Sequence, residues 1–311
     1  MRKQFFSMVD SLLPRAVALI PYQGGLLLLK LIFEFGLGVE VWNRNSTRNG
    51  SFILGVSDLD ITLVHDGRLS VEFIHSLLKT LKKIMPFLGE ANLYQVNHLP
   101  IVLSRMNSFE LMRDPELSSK FRQKKNFSLG ERFVFIQRML FSDAHSLKNN
   151  PLYRQLKWRN HFKFINYDFK GELIDFISVV NVLKELCQDN PRLCQSIDQW
   201  SENIFKDGLD IYRTDLGEGF GILAPHCKLW FHNLEDVSYL KNLKPLELEI
   251  LLAQIDWEIC GIYAQKFHLP EKQSLEHLRM LIQVQALALN LESEQKLISE
   301  LTLLFEGDFL T

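Results

Sequence analysis

The stretch Gly55-Val56-Ser57-Asp58-Leu59-Asp60-Ile61-Thr62-Leu63-Val64 decides how this chain is read. Leu59 to Val64 alternates and is rich in β-branched residues, which predicts a strand. Asp58 and Asp60 stand two apart at its start. Strand side chains alternate faces, so both carboxylates are expected on one side. Two neighbouring carboxylates repel unless a cation or a proton sits between them. Mg²⁺ suits such a pair, because it takes carboxylate oxygens, keeps waters and accepts substrate phosphates as further ligands. A lone Asp-x-Asp is better explained as a strand end facing water. The residues just upstream change that reading. Asn43 to Ser51 is polar and rich in Asn and Ser, a loop or tight turn. Ser46 lies within it, where a hydroxyl and backbone N–H groups can cradle phosphate. A metal pair beside a phosphate cradle suits in-line attack at the α-phosphate of a nucleoside triphosphate.

Working outward, Leu26 to Phe35 is apolar and helix-like and stops near Gly36 and Gly38. Val39 to Trp42 is a short strand candidate. His65-Asp66-Gly67 reads as a turn. Val71 to Met85 carries Phe73, Ile74, Leu77, Leu78, Leu81 and Ile84 at helical spacing, which predicts one apolar face. Ala91 to Val96 is a third strand candidate. From about Ser108 the pattern turns helical, with segments at 129–147, 150–165, 171–188, 244–267 and 271–289. Pro151, Pro191, Pro245 and Pro270 stand near starts. Asp207 to His232 is loop-rich.

The central stretch resembles the nucleotidyltransferase superfamily with the DNA-polymerase-β-like fold. The family pattern is Gly-Ser, a spacer, then Asp-x-Asp entering an apolar strand. The likeness covers residues 20–115. It implies a polymerase-β-like domain over 1–118, a small mixed sheet with helices; with the helical periodicity that follows, the expected architecture is α+β, with a larger all-α domain over 119–311. It implies Asp58 and Asp60 as catalytic Mg²⁺ ligands, and Asn45, Ser46 and Ser57 as the residues around the triphosphate. Two departures stand out. Asn45 takes the place of the family's Gly; Asn is the next most tolerant residue for positive φ. The family also supplies a third carboxylate from a later strand, as ligand or as base. Asn92 stands where that acid is expected, and Asn cannot take a proton at neutral pH. Glu90 is the nearest carboxylate, and Glu110, Asp114 and Glu116 follow later in the chain.

The expected function is Mg²⁺-dependent transfer of a nucleoside monophosphate from a triphosphate, with ATP the expected donor, to a small-molecule or protein acceptor. The alternative is a catalytically impaired domain of the same fold that binds nucleotide or serves as a regulatory or interaction module. A formal net charge of −2 gives no global attraction to long nucleic acid or to an anionic membrane. Ala16 to Leu29 lacks charge but contains Pro21, Gly24 and Gly25. It ends at Lys30, short of the roughly 20 residues a membrane span needs. A buried helix is therefore expected. Cys187, Cys194, Cys227 and Cys260 form no C-x-x-C pair and read as the reduced thiols of a cytoplasmic protein.

Lys120, Arg122, Lys124, Lys125 and Arg132 read as a solvated connector in preference to a site for the triphosphate or a polyanionic acceptor. In Lys157-Trp158-Arg159-Asn160-His161-Phe162-Lys163, Trp158, Phe162 and Ile165 share a helix face, which favours core packing over single-strand binding. Gly217-Glu218-Gly219-Phe220-Gly221 lacks the strand and helix of a dinucleotide loop. His226, Cys227 and His232 lack a zinc spacing.

Overall fold

The alternation that predicts a strand does form one. A computed structural model describes residues 14–44, 57–99, 127–148, 152–207, 240, 242–263, 280–285 and 287–288. In chain order these give helix α1 (Arg15–Lys30) with a wider π-type extension (Leu31–Gly36), β1 (Glu40–Arg44), β2 (Leu59–His65), α2 (Val71–Ile84) and β3 (Leu88–Gln95). Helices α3 (Leu129–Lys148), α4 (Leu152–Phe164), α5 (Phe176–Leu186), α6 (Pro191–Asp207) and α7 (Pro245–Tyr263) follow. The fold is α+β, a three-stranded sheet in a mostly helical chain.

The chain divides into two compact units. One joins Met1–Lys125 with Pro151–Asn166 and Tyr263–Lys266; the other takes Asn126–Asn150, Tyr167–Ile262 and Phe267–Thr311. Helix α4 thus groups with the sheet.

In the first unit the sheet has the order β1-β2-β3, with β2 antiparallel to β1 and parallel to β3. Parallel neighbours need a crossover, which α2 supplies. Its start is capped by Ser70, whose Oγ accepts from the Phe73 N–H at 3.2 Å. Alternation sorts the sheet into two faces. Val41, Leu59, Ile61, Leu63 and Leu93 pack with Ala18, Tyr22, Leu29 and Phe33 of α1 and its extension, and with Ile74, Leu78 and Leu81 of α2. Each such aliphatic side chain contributes about 1.5–3 kcal/mol on burial.

Several boundaries differ from expectation. The first helix begins at Arg15, runs through Pro21, and reaches Gly36. One face lies in the core, but Ile20, Leu27, Leu31 and Phe35 are exposed, so the helix is only half buried. Val17–Gly36 is apolar and long enough to cross a membrane by length and composition. In α2 the apolar face is narrower than its spacing predicts: Phe73 and Ile84, near its two ends, are exposed. Strand β3 starts at Leu88 rather than Ala91.

The second unit is helical in its described residues. Helix α5 starts with a reciprocal cap: the Ser178 N–H donates to Asp175 Oδ1 at 2.7 Å, and the Asp175 N–H donates to Ser178 Oγ at 2.8 Å. Asn190 caps α6 through the Leu193 N–H and donates from Nδ2 to Glu247 Oε1 at 3.1 Å; both residues are buried. Helix α6, with Leu193, Ile197 and Trp200 buried, starts at Pro191 as that proline predicts, but lies outside the segments that periodicity predicts. The 271–289 segment is described only in its last part, where 280–285 and 287–288 are helical. Trp158 and Phe162 of α4, and Ile165 just after it, are buried, in keeping with core packing. The Gly217–Gly221 stretch, His226, Cys227 and His232 lie outside the described residues, as do Lys120, Arg122, Lys124 and Lys125.

Candidate functional site

The non-core face of the sheet carries Asp60, Thr62 and Val64 from β2. Across the antiparallel ladder, Arg44 pairs with Asp60 and Trp42 with Thr62. On the other side, Asn92 pairs with Thr62 and Tyr94 with Val64. Directly paired residues share a face, so Arg44, Asp60, Thr62, Asn92 and Tyr94 belong to one surface. Arg44, Thr62, Asn92 and Tyr94 are fully or almost fully buried there, whereas Asp60 is half-buried and Asp58 exposed. The acids therefore stand at the open end of a polar, otherwise covered face.

Both acids converge on one glycine. A β-carbon at Gly89 would lie 2.6 Å from the Asp58 β-carbon and would overlap the Asp60 carboxylate. The register slips at this point. Leu59 pairs with Leu88 and Ile61 with Ala91, so Gly89 and Glu90 together face Asp60. Such a bulge re-aims the backbone. It lets the Glu90 N–H donate to Asp60 Oδ1 at 2.8 Å. Gly89 was not singled out from the sequence. A glycine one residue into a strand is the signal that marks a bulge or a close approach.

The entry to β2 is held from the core side. The Tyr22 hydroxyl donates to the Ser57 carbonyl oxygen at 2.8 Å, and the Leu59 N–H donates to the Phe87 carbonyl oxygen at 2.7 Å. The Tyr22 and Phe87 rings meet edge-on with centroids 5.4 Å apart. One aromatic pair thus fixes the residue before Asp58 and the residue two before Gly89. Ser57 itself is half-buried. Asn45 and Ser46 lie outside the described residues, as do Glu110, Asp114 and Glu116.

Asn92 is one register step further along the face from Asp60 and is 1% exposed. Its Nδ2 donates to the Tyr94 hydroxyl at 3.3 Å, while Oδ1 has no hydrogen-bond partner among the described residues. A buried acceptor left without a donor costs about 1–3 kcal/mol. The carboxylate oxygens of Asp58 and Asp60 are hard donors of the kind Mg²⁺ takes, and in that respect the pair fits the ion. Among the described residues no group of three His, Cys, Asp or Glu is placed to hold a metal. Glu90 lends the site its backbone N–H, and its side chain is exposed.

No family model, no curated protein and no solved structure matches this chain.

Proposed function

We propose that this chain is a nucleotidyltransferase with a polymerase-β-like N-terminal domain. It uses Mg²⁺ to transfer a nucleoside monophosphate from a triphosphate, ATP being the expected donor, to a small molecule or a protein. The observation that carries the reading is the convergence of Asp58 and Asp60 on Gly89 at the open end of the polar face. Asp58 and Asp60 would hold Mg²⁺, whose chemistry there is to neutralise charge on the phosphates. Arg44 pairs with Asp60 across the ladder and is buried, a permanent cation behind the acids. Asn45 and Ser46 follow Arg44 directly in the chain and are the proposed phosphate cradle. In the reaction an acceptor hydroxyl oxygen bonds to the α-phosphorus, the α–β phosphoanhydride bond breaks, and pyrophosphate leaves. The hydroxyl proton passes to solvent.

A second reading is favoured by Asn92. With an amide where a carboxylate is expected, the domain binds metal and nucleotide and acts as a regulatory or interaction module. The experiment that tests both is incubation of the full chain with each labelled triphosphate and Mg²⁺, scoring pyrophosphate release, self-labelling and binding. Release or labelling supports transfer, and binding without either supports the module. Absence of any Mg²⁺-dependent triphosphate binding removes both readings.

A further inference from the structure

We infer that Cys187 and Cys194 form a modification site separate from the acid pair: a dithiol that a peroxide converts to a disulfide, reversibly and without opening the corner between α5 and α6. Both are free thiols, and their sulfurs are in contact, with Sγ to Sγ at 3.8 Å. A disulfide places them about 2.05 Å apart, so each sulfur has about 1 Å to travel.

The backbone that carries them is held from several directions. Cys187 is the C-terminal cap of α5, and Cys194 follows three residues after the start of α6. Between them the chain turns through Gln188, Asp189 and Asn190 before Pro191 opens α6. The Asn190 N–H donates to the Cys187 carbonyl oxygen at 2.8 Å, and the Cys194 N–H donates to the Asn190 carbonyl oxygen at 3.0 Å. About one turn from each thiol, Lys184 Nζ meets Asp198 Oδ1 at 2.6 Å and ties the same two helices. The Cys187 thiol donates to the Leu183 carbonyl oxygen at 3.1 Å, and the Cys194 thiol donates to the Cys187 carbonyl oxygen at 3.5 Å. Two groups held against each other in this way react as neighbours, without a chance encounter.

Exposure assigns the order of events. Cys194 is half-buried, whereas Cys187 is 1% exposed, so the peroxide reaches Cys194 first. The Cys194 sulfur attacks one peroxide oxygen, the O–O bond breaks, and Cys194 becomes a sulfenic acid while the other oxygen leaves as water. The Cys187 sulfur then attacks Cys194 Sγ. The S–S bond forms, the S–O bond breaks, and hydroxide leaves as water with the Cys187 proton. The pair gives up two electrons, and one hydrogen peroxide becomes two waters. Burial holds the Cys187 thiol protonated, which slows the second step and lets the sulfenic acid be trapped. A dithiol reductant reverses the bond by exchange.

The test treats the reduced full chain with hydrogen peroxide at neutral pH, blocks remaining thiols by alkylation and digests with trypsin. Arg192 lies between the two cysteines, so peptides 185–192 and 193–206 separate unless a disulfide joins them. The joined pair should be the major product and should vanish on treatment with dithiothreitol. In Cys187→Ala, dimedone should label Cys194 as its sulfenic acid; in Cys194→Ser, Cys187 should stay unlabelled. The oxidised wild type should melt at least as high as the reduced chain, because a closed loop constrains the unfolded state. A joined pair that forms only in urea overturns the proposal, as does a major bond to Cys227 or Cys260. So does Cys194 carried on to sulfinic acid beside an unmodified Cys187. A melting temperature lowered by oxidation would mean that the corner opens to make the bond, and it too overturns the proposal. Dimedone on Cys187 in preference to Cys194 overturns the order of attack. If either variant fails to fold, the wild-type digest and melt decide alone.

Discussion

The Tyr22 hydroxyl donates to the Ser57 carbonyl oxygen across 35 residues of sequence, at 2.8 Å. Through that bond the first helix grips the backbone one residue before Asp58. The placement of an exposed acid thus depends on a hydroxyl that is itself in the core, with Tyr22 only 3% exposed.

Tyr22→Phe keeps the ring packing on Phe87 and removes this bond. The expected cost is about 0.5–1.5 kcal/mol of folding stability, that of one ordinary hydrogen bond. Mg²⁺-dependent triphosphate binding should weaken with it, because Asp58 loses its anchor. Denaturant melts and calorimetric titration check the two effects. An unchanged melting midpoint would show that the bond contributes nothing.

Asp58→Asn and Asp60→Asn should each abolish Mg²⁺-dependent triphosphate binding; Asp58→Asn should leave the metal-free protein as stable as before, or slightly more so, whereas Asp60→Asn also removes a charge opposite the buried Arg44 and gains less. Each change keeps shape and removes one of two repelling charges. The amide oxygen introduced at position 60 can still accept from the Glu90 N–H. A structural cap would behave oppositely, losing stability and sparing binding. Thermal melts in EDTA beside titrations in Mg²⁺ separate the two.

Gly89→Ala should harm fold and site together. The added methyl meets the Asp60 carboxylate and the Asp58 β-carbon. Overpacking of this kind costs about 1–3 kcal/mol. The internal control is Gly24→Ala in α1, where nothing lies within 4 Å of the new carbon. That change should be neutral or stabilise by about 0.5–1 kcal/mol, the usual helix preference for Ala. Equal stability of the two variants would contradict the close approach.

The second unit offers a pH-dependent prediction. Cys187 Sγ lies 3.8 Å from Cys194 Sγ, and burial, reinforced by that neighbour, pushes the Cys187 thiol well above the ordinary thiol range. Unfolding releases the proton at the ordinary value, about 8.5, while the folded chain retains it. Stability should therefore be level below that pH and fall as pH rises above it. Urea midpoints at mildly and strongly alkaline pH should differ more for the wild type than for Cys187→Ala. Native-state alkylation of Cys187 should lag behind that of the unfolded chain.

The sequence disclosed β2 and its acid pair because both depend on alternation within a few residues. The helices at Val71, Leu129 and Pro245 were legible for a similar reason. The partners of the acids were not. Gly89 and Glu90 reach Asp60 through a register slip, and a slip is decided by how two strands settle against one core. Arg44 reads as one more basic residue beside a polar turn until the ladder sets it opposite Asp60. Asn92 was anticipated on the strand, but its bare carbonyl is a property of packing. Helix α6 is marked in the sequence only by its proline start, because most of Pro191–Asp207 is polar, although Leu193, Ile197 and Trp200 keep helical spacing. Phe73 and Ile84 had the right spacing and lie near the helix ends, beyond the buried face.

The two-sidedness of β2 also sets which genetic changes the chain can absorb. Its odd-numbered residues from Leu59 to Leu63 fill the core, and Asp60 and Thr62 face the other way. Exchanging one aliphatic side chain for another is a local event. Removing or adding a single codon between 58 and 63 is not, for it turns one acid into the core and an aliphatic residue out of it. Drift in this segment should proceed by replacement at constant length, whereas length variation is expected elsewhere.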